Sequence, residues 1–219
     1  MQFDQNNKVV QLCAEGMSLE LKGNKEEAHA LFQLAWEMAS TPFEAFIAAH
    51  YLARNQSDHR ENLKWNLEAL KQADAVAEST MQAYYPSLYL NIARSYENLE
   101  NTGEASHYYQ LASEKSGVLP AGSYGDVIRS GIRQGLKRTG KKHFENEALE
   151  ELITNWCEQR NLKALSFVLP SYLSNSGNEL DTNRLVSSLN YLLATRSLND
   201  IEQKKLASVI NGLLEPQQN

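Results

Sequence analysis

Apolar and small residues recur at three- and four-residue steps along most of the chain, a spacing typical of amphipathic helices. The segment Ile92–Ala112 shows this spacing twice, on either side of a turn, at Ile92, Ala93 and Tyr96 and then at Ala105, Tyr109 and Ala112. Two such stripes joined by a turn predict a pair of helices. Because we find no period-two alternation indicative of a strand, we predict an all-α fold of about eleven helices.

The helical pattern also repeats in a frame of about 34 residues, a period found in arrays of helical hairpins. Frames that start at residues 9, 43 and 86 define three copies, which we call copies one, two and three. Positions 8, 20, 24 and 27 of these copies are Gly16, Ala28, Phe32 and Ala35; His50, Asn62, Asn66 and Ala69; and Ala93, Ala105, Tyr109 and Ala112. The second helix of copy two is the least regular.

This pattern resembles the tetratricopeptide repeat over residues 9–119. The resemblance implies two antiparallel helices per unit, with small residues at positions 8 and 20 where the helices meet. An aromatic residue at position 24 and an alanine at 27 fill the joint to the next unit. It also implies a right-handed solenoid, with the repeats in residues 1–119. An ordinary helical bundle with coincidental spacing is the alternative.

The rest of the chain is also predicted to be helical. We expect residues 120–219 to form hairpins that cap and extend the solenoid and are continuous with it. The predicted helices are Gly125–Arg138, residues 145–159, Leu162–Leu173 with Pro170 kinking or ending it, one capped by Asp181 or Thr182, and a last one after "SLNDIEQ".

The order of four landmarks is similar to that of a group of small bacterial tetratricopeptide proteins. The landmarks are "AAHYLAR", "KWNLEAL", "YYPSLYLNIARSYE" and "SYGDVIRSGIRQGL". Some members of that group carry a label as rRNA adenine methyltransferases. The sequence does not support this activity here, because it has no Asn-Pro-Pro-aromatic run, no GxGxxG and no predicted strand to carry either.

No familiar catalytic motif stands out. The chain lacks GxxxxGK[ST], GxSxG and HExxH, and none of its five histidines has another histidine four residues away. His50 occupies the small-residue position 8, so we predict that it packs in a joint. We expect a non-catalytic protein without a cofactor or metal.

Cysteine content and the N-terminus indicate a compartment. Cys13 and Cys157 are far apart in sequence, and we predict that both are reduced and buried. The N-terminal residues have no basic and apolar leader, and no segment has the apolar length of a membrane span. We therefore expect a cytoplasmic location and no membrane partner.

First helices of tetratricopeptide repeats line a concave groove, and the resemblance assigns groove positions to this chain. Tyrosine and arginine at such positions often carry interface energy, and asparagine can hold a peptide backbone. The implied function is a protein- or peptide-binding scaffold whose groove includes Met17, Tyr51, Arg54, Asn91, Arg94 and Asn98. Alternatively, these side chains pack against the C-terminal helices. Either a monomer or a homodimer is compatible with the sequence, and self-association remains open.

Charge distribution gives a second hypothesis. The net charge of −6 divides into −7 for residues 1–118, +5 for 119–143 and −4 for 144–219. The basic segment places four cations at four-residue steps, at Arg129, Arg133, Lys137 and Lys141, with Ile128, Ile132 and Leu136 expected on the opposite face. This basic face could bind RNA or an acidic partner, although an acidic chain makes nucleic acid a poor default and a solvated face is the simpler interpretation. A peptide sensor is a third, less favoured possibility.

Overall fold

A computed structural model describes residues 6–140 and 144–215, and over these residues the chain is all-α, as predicted. They form twelve α-helices and one short 3₁₀ helix, Ser116–Val118, with no strand. The chain divides into two compact units, which we call the N-terminal unit, Met1–Val118, and the C-terminal unit, Leu119–Asn219. None of the described helices has the length and apolarity to cross a membrane.

Three helical hairpins build the N-terminal unit. The helices are α1 (Lys8–Leu21), α2 (Lys25–Met38), α3 (Pro42–Asn55), α4 (His59–Asp74), α5 (Glu78–Met81), α6 (Tyr85–Asn98) and α7 (Thr102–Lys115). The pairs α1/α2, α3/α4 and α6/α7 pack internally, and α2 contacts α3 while α4 contacts α6. Consecutive hairpins therefore stack on one another. The short helix α5 lies in the longer interval between copies two and three.

Side-chain caps fix where several of these helices begin. Thr41 accepts a hydrogen bond from the backbone N–H of Glu44, and the Glu44 carboxylate accepts one from the Thr41 N–H, which completes a capping box at the start of α3. Asn7 and Asp58 accept backbone N–H groups at the starts of α1 and α4. These caps satisfy donors that have no partner within the helix.

The regular copies are packed tightly at the positions that define the repeat. Positions 20, 24 and 27 are fully buried in copy one and in copy three, at Ala28, Phe32, Ala35, Ala105, Tyr109 and Ala112. A Cβ atom added to Gly16 would lie 2.3 Å from a ring carbon of Phe32. Position 8 of copy one thus has room only for glycine, because the aromatic ring at position 24 occupies the joint.

The described residues of the C-terminal unit form five helices, and the last four enclose an apolar core. They are α8 (Ser123–Arg138), α9 (Glu147–Glu158), α10 (Leu162–Leu173), α11 (Glu179–Ala194) and α12 (Asp200–Leu214). Trp156 is fully buried in this core and donates its indole N–H to the Glu202 carboxylate, 3.1 Å away. The same carboxylate closes the capping box of α12 with Asn199. One acidic residue thus links the start of α12 to the last turn of α9.

Pro170 was predicted to kink α10 or to end it early, and of these alternatives an early end is excluded, because the helix continues to Leu173. Two other sequence predictions about this unit were wrong. Asn178, rather than Asp181 or Thr182, caps α11, and its side chain accepts the Asp181 N–H at 2.8 Å. Cys157 is exposed, whereas Cys13 is buried as predicted. Cys157 follows buried Trp156, and adjacent helical residues point about 100° apart, which turns its thiol away from the core.

Candidate functional site

Three of the predicted groove residues form one side-chain stack between α1 and α3. The Tyr51 hydroxyl lies 3.4 Å from the Met17 sulfur, and the Tyr51 ring stacks on Phe32 with centroids 5.3 Å apart. The Arg54 guanidinium carbon lies 5.4 Å from the centroid of the Tyr51 ring. Met17 and Tyr51 are half-buried in this stack, so they present part of their surface and are held by neighbouring side chains.

Glu20 partly neutralises Arg54. The two side chains form an ion pair, and Asn55 donates a hydrogen bond to the other oxygen of the same carboxylate at 3.0 Å. Burial alone would raise the pKa of Glu20, but hydrogen bonds from Asn55 and Arg54 and the Arg54 charge outweigh burial and leave the pKa below its usual value. Arg54 is thus already paired with the Glu20 carboxylate in the absence of a ligand.

The remaining predicted groove residues line a pocket together with Arg54. The pocket has a volume of about 380 Å³ and is bounded by α3, α4 and α6. The eight described residues that line it are all polar or charged and include no carboxylate: His50, Arg54, Asn62, Asn66, Asn91, Arg94, Ser95 and Asn98. We call this space the amide pocket. It brings together Arg54, Asn91, Arg94 and Asn98, while Met17 and Tyr51 lie outside its lining.

The floor of the amide pocket is a buried hydrogen-bond network. Asn66 and Ser95 are 3% and 1% exposed, and the Asn66 amide donates to the Ser95 hydroxyl at 3.0 Å and to the Asn62 oxygen at 3.2 Å. Asn62 in turn donates to the Ala53 carbonyl at 2.7 Å. Because buried polar groups are costly unless they are hydrogen-bonded, this network fixes the positions of the floor side chains.

The rim of the pocket, formed by Asn91, Arg94 and Asn98, carries donors and acceptors that the described residues leave unused. Asn91, Arg94 and Asn98 are spaced by three and four residues on one face of α6, where Asn91 is half-buried and the other two are exposed. Their side chains form no hydrogen bond or ion pair with any described residue. Together they offer two amides and one guanidinium to a ligand.

His50 lines the side of the pocket that packs against aromatic residues. The structure agrees with the prediction that His50 packs in a joint between helices. Its ring lies edge-on to Tyr51, with centroids 5.5 Å apart, and tilted on Phe46 at 6.4 Å. Burial, and then the positive charge of Arg54, lower the pKa of His50, so its imidazole is neutral at pH 7.

Sequence reasoning missed four lining residues, His50, Asn62, Asn66 and Ser95. Three of them were visible as departures of copy two from the repeat at positions 8, 20 and 24. Polar residues at these repeat positions are expected both for an irregular helix and for a polar pocket. The departures alone therefore did not predict a site.

The predicted basic face contains a buried arginine, and this corrects the second hypothesis. Arg129 is 1% exposed, its Nε lies 3.1 Å from Asp181 Oδ1, and a terminal nitrogen donates to the Leu119 carbonyl at 2.6 Å. Arg129 shares its stripe of α8 with the buried residues Gly125, Ile132 and Leu136. The apolar and basic stripes were predicted to be opposite, but residues one apart differ by only about 100°.

The other predicted basic residues are placed differently. Arg133 donates to the Phe144 carbonyl at 3.1 Å and its guanidinium lies 4.5 Å from the centroid of the Tyr172 ring, so it has a structural role. Lys137 is exposed, and Lys141 lies outside the described residues. Arg129 and Arg133 are thus engaged within the C-terminal unit, which removes the main support for a surface that binds RNA or an acidic partner.

A second concavity, of about 450 Å³, lies at the ends of α1 and α3 and the start of α2. Its lining carries charges of both signs, from Glu20, Lys25, Glu26 and Arg54. Among the described residues, no group of three or more His, Cys, Asp and Glu is placed to hold a metal ion. The amide pocket is therefore the stronger candidate site.

Comparison with known proteins gives no assignment for the chain. Neither the protein-family models nor the curated proteins contain a match to its sequence.

Proposed function

We propose that the chain is a tetratricopeptide-like scaffold that binds a protein or peptide along α1, α3 and α6 and catalyses no reaction. The observation that carries this proposal is the row of Asn91, Arg94 and Asn98, whose side chains lack partners among the described residues and border a pocket. Side chains held beside a cavity with unused donors are suited to recognition, because binding need not break an existing contact.

The chemistry of the row favours an extended peptide. Each asparagine amide offers both a donor and an acceptor, which matches the N–H and C=O groups that an extended backbone leaves free. Tyr51 and Arg54 add an aromatic face and a cation on α3, and residues of these types often carry much of the energy of an interface. The cytoplasm remains the proposed location.

Selection of binders from a random peptide display library tests this function. Peptides selected on the wild-type chain are expected to lose affinity for Asn91→Ala/Asn98→Ala, because both backbone contacts are removed. The matched control is Asn183→Ala/Asn190→Ala, which removes two exposed asparagines at the same seven-residue spacing from α11. Failure to select any peptide, or equal affinity for both double variants, would contradict the proposal.

A further inference from the structure

Copy two departs from its neighbours at the three positions where the other copies are filled by apolar or small residues. Positions 8, 20 and 24 are Gly16, Ala28 and Phe32 in copy one, and they are Ala93, Ala105 and Tyr109 in copy three. In copy two the same positions are His50, Asn62 and Asn66, and all three line the amide pocket. The pocket therefore lies where an aromatic side chain closes the joint elsewhere in the unit.

In copies one and three, the equivalent joint is filled by a buried aromatic side chain. Phe32 and Tyr109 are fully buried, and the Phe32 ring leaves no space for a Cβ at Gly16. At the joint that holds the pocket, the chain instead buries Asn66 of copy two and Ser95 of copy three in a network that compensates their desolvation and leaves a cavity beside them. A cavity lined in this way is suited to a polar group that enters from the rim.

The charges that line the pocket indicate which kind of ligand group it binds. Of the residues that the structure describes, two with guanidiniums and none with a carboxylate line the pocket, although residues 1–118 carry a net charge of −7. Arg54 already pairs with Glu20, whereas Arg94 has no ion partner among the described residues. One unpaired guanidinium matches the single charge of a carboxylate better than a phosphate group, which carries about −1.5 to −2 at pH 7.

We propose that the amide pocket takes the carboxylate side chain of an aspartate or glutamate in the bound partner. Arg94 forms the ion pair at the rim, and the Asn91 and Asn98 amides donate hydrogen bonds to the same group. A volume of about 380 Å³ lies at the small end of ligand pockets and fits a side chain better than a large cofactor. The inference rests on the proposed function for the source of the carboxylate, a peptide side chain.

Nuclear magnetic resonance titration of the ¹⁵N-labelled full chain tests the inference with blocked amino acids. The probe is N-acetyl-glutamate N-methylamide, and the matched neutral probe is N-acetyl-glutamine N-methylamide. The glutamate probe is expected to shift the signals of Asn91, Ser95 and Asn98 and to bind about tenfold more tightly than the glutamine probe, because only it forms a charge-assisted contact. Arg94→Gln should remove this preference, while Arg60→Gln, at an exposed arginine on α4, should retain it.

Four outcomes would overturn the inference. Equal binding of the two probes would show that the pocket recognises an amide-sized polar group without regard to charge. Binding of N-acetyl-alanine or inorganic phosphate in place of the glutamate probe would assign the pocket to a chain terminus or to a phosphate. Absence of binding by every probe would show that it takes no such group. Peptides selected from the display library without enrichment of aspartate or glutamate would leave the proposed function standing and reject only the side-chain assignment.

Discussion

Each unit of the protein buries a cluster of polar side chains, and the two clusters differ at their edges. In the C-terminal unit, the Arg129 guanidinium meets the carboxylates of Asp181 and Asp126 and two backbone carbonyls. In the N-terminal unit, the network of Asn66 and Ser95 borders a cavity whose rim residues have no side-chain partner among the described residues.

This difference separates a structural cluster from a candidate site. A buried charge with close opposite charges is compensated within the fold, and it is weak evidence of function. Unused donors beside a cavity have no such compensation, and a ligand can supply it. The comparison predicts that mutations at the Arg129 cluster change stability, and that mutations at the pocket rim change binding.

The largest expected effect is at Arg129. Arg129→Met should lower the free energy of unfolding of the C-terminal unit by about 3–5 kcal/mol, because Asp181 is left buried without its main cation. Urea unfolding followed by Trp156 fluorescence, in a Trp36→Phe/Trp65→Phe background, measures this unit. Arg129→Met/Asp181→Leu should recover part of the loss, and Lys137→Met on the same helix should stay within about 0.5 kcal/mol. A loss below about 1 kcal/mol for the single variant would show that the cluster is not compensated as described.

A smaller loss is expected at the glycine beside the same cluster. A Cβ at Gly125 would lie 2.0 Å from the Pro120 carbonyl oxygen and 2.6 Å from an Arg129 nitrogen, so Gly125→Ala should cost about 1–3 kcal/mol. Gly212 on α12 has no such neighbour within 4 Å among the described residues, and Gly212→Ala should stabilise the unit by about 0.5–1 kcal/mol through helix propensity. The same urea titration reports both, and equal effects would contradict the close packing.

The smallest effect is a pH dependence at the pocket wall. The pKa of His50 is lowered in the folded state, whereas in the unfolded state it has its ordinary value of about 6.5. At a pH below about 6.5, the unfolded state therefore binds more protons than the folded state. His50 should therefore lower stability as pH falls through about 6.5, with a slope of at most about 1.4 kcal/mol per pH unit, and contribute no slope well above it. Unfolding of wild type and His50→Gln between pH 8 and pH 5 measures this contribution. Identical slopes would show that His50 titrates freely.

The helical hairpins were predictable because their packing is recorded in the sequence. Gly16 with Phe32, and Ala93 with Tyr109, are complementary pairs at fixed spacing, and burial of apolar residues gives a periodic signal. The resemblance to the tetratricopeptide repeat implies which positions of each first helix face a groove, and it therefore placed Asn91, Arg94 and Asn98 together on α6.

Burial of polar residues was not predictable in the same way. Arginine is usually a surface residue. Only the position of Arg129 on the same helix stripe as Gly125, Ile132 and Leu136 indicates that it faces the core. The Asn66–Ser95 contact joins residues 29 positions apart, and its partners become neighbours only when α4 packs against α6. In the sequence this network shows only as polar residues at repeat positions of copy two, and an irregular helix gives the same pattern, which is why the pocket floor was missed.

Filling the amide pocket is the most direct test of the account. His50→Ala/Asn62→Ala/Asn66→Phe gives copy two the small residues and aromatic ring that close the joints of copies one and three. Titration with N-acetyl-glutamate N-methylamide is expected to show no binding by this variant, while its circular dichroism and cooperative unfolding show that the helical fold is kept. Probe affinity equal to that of the wild type in a folded variant would contradict the claim that the irregular residues of copy two form a binding site.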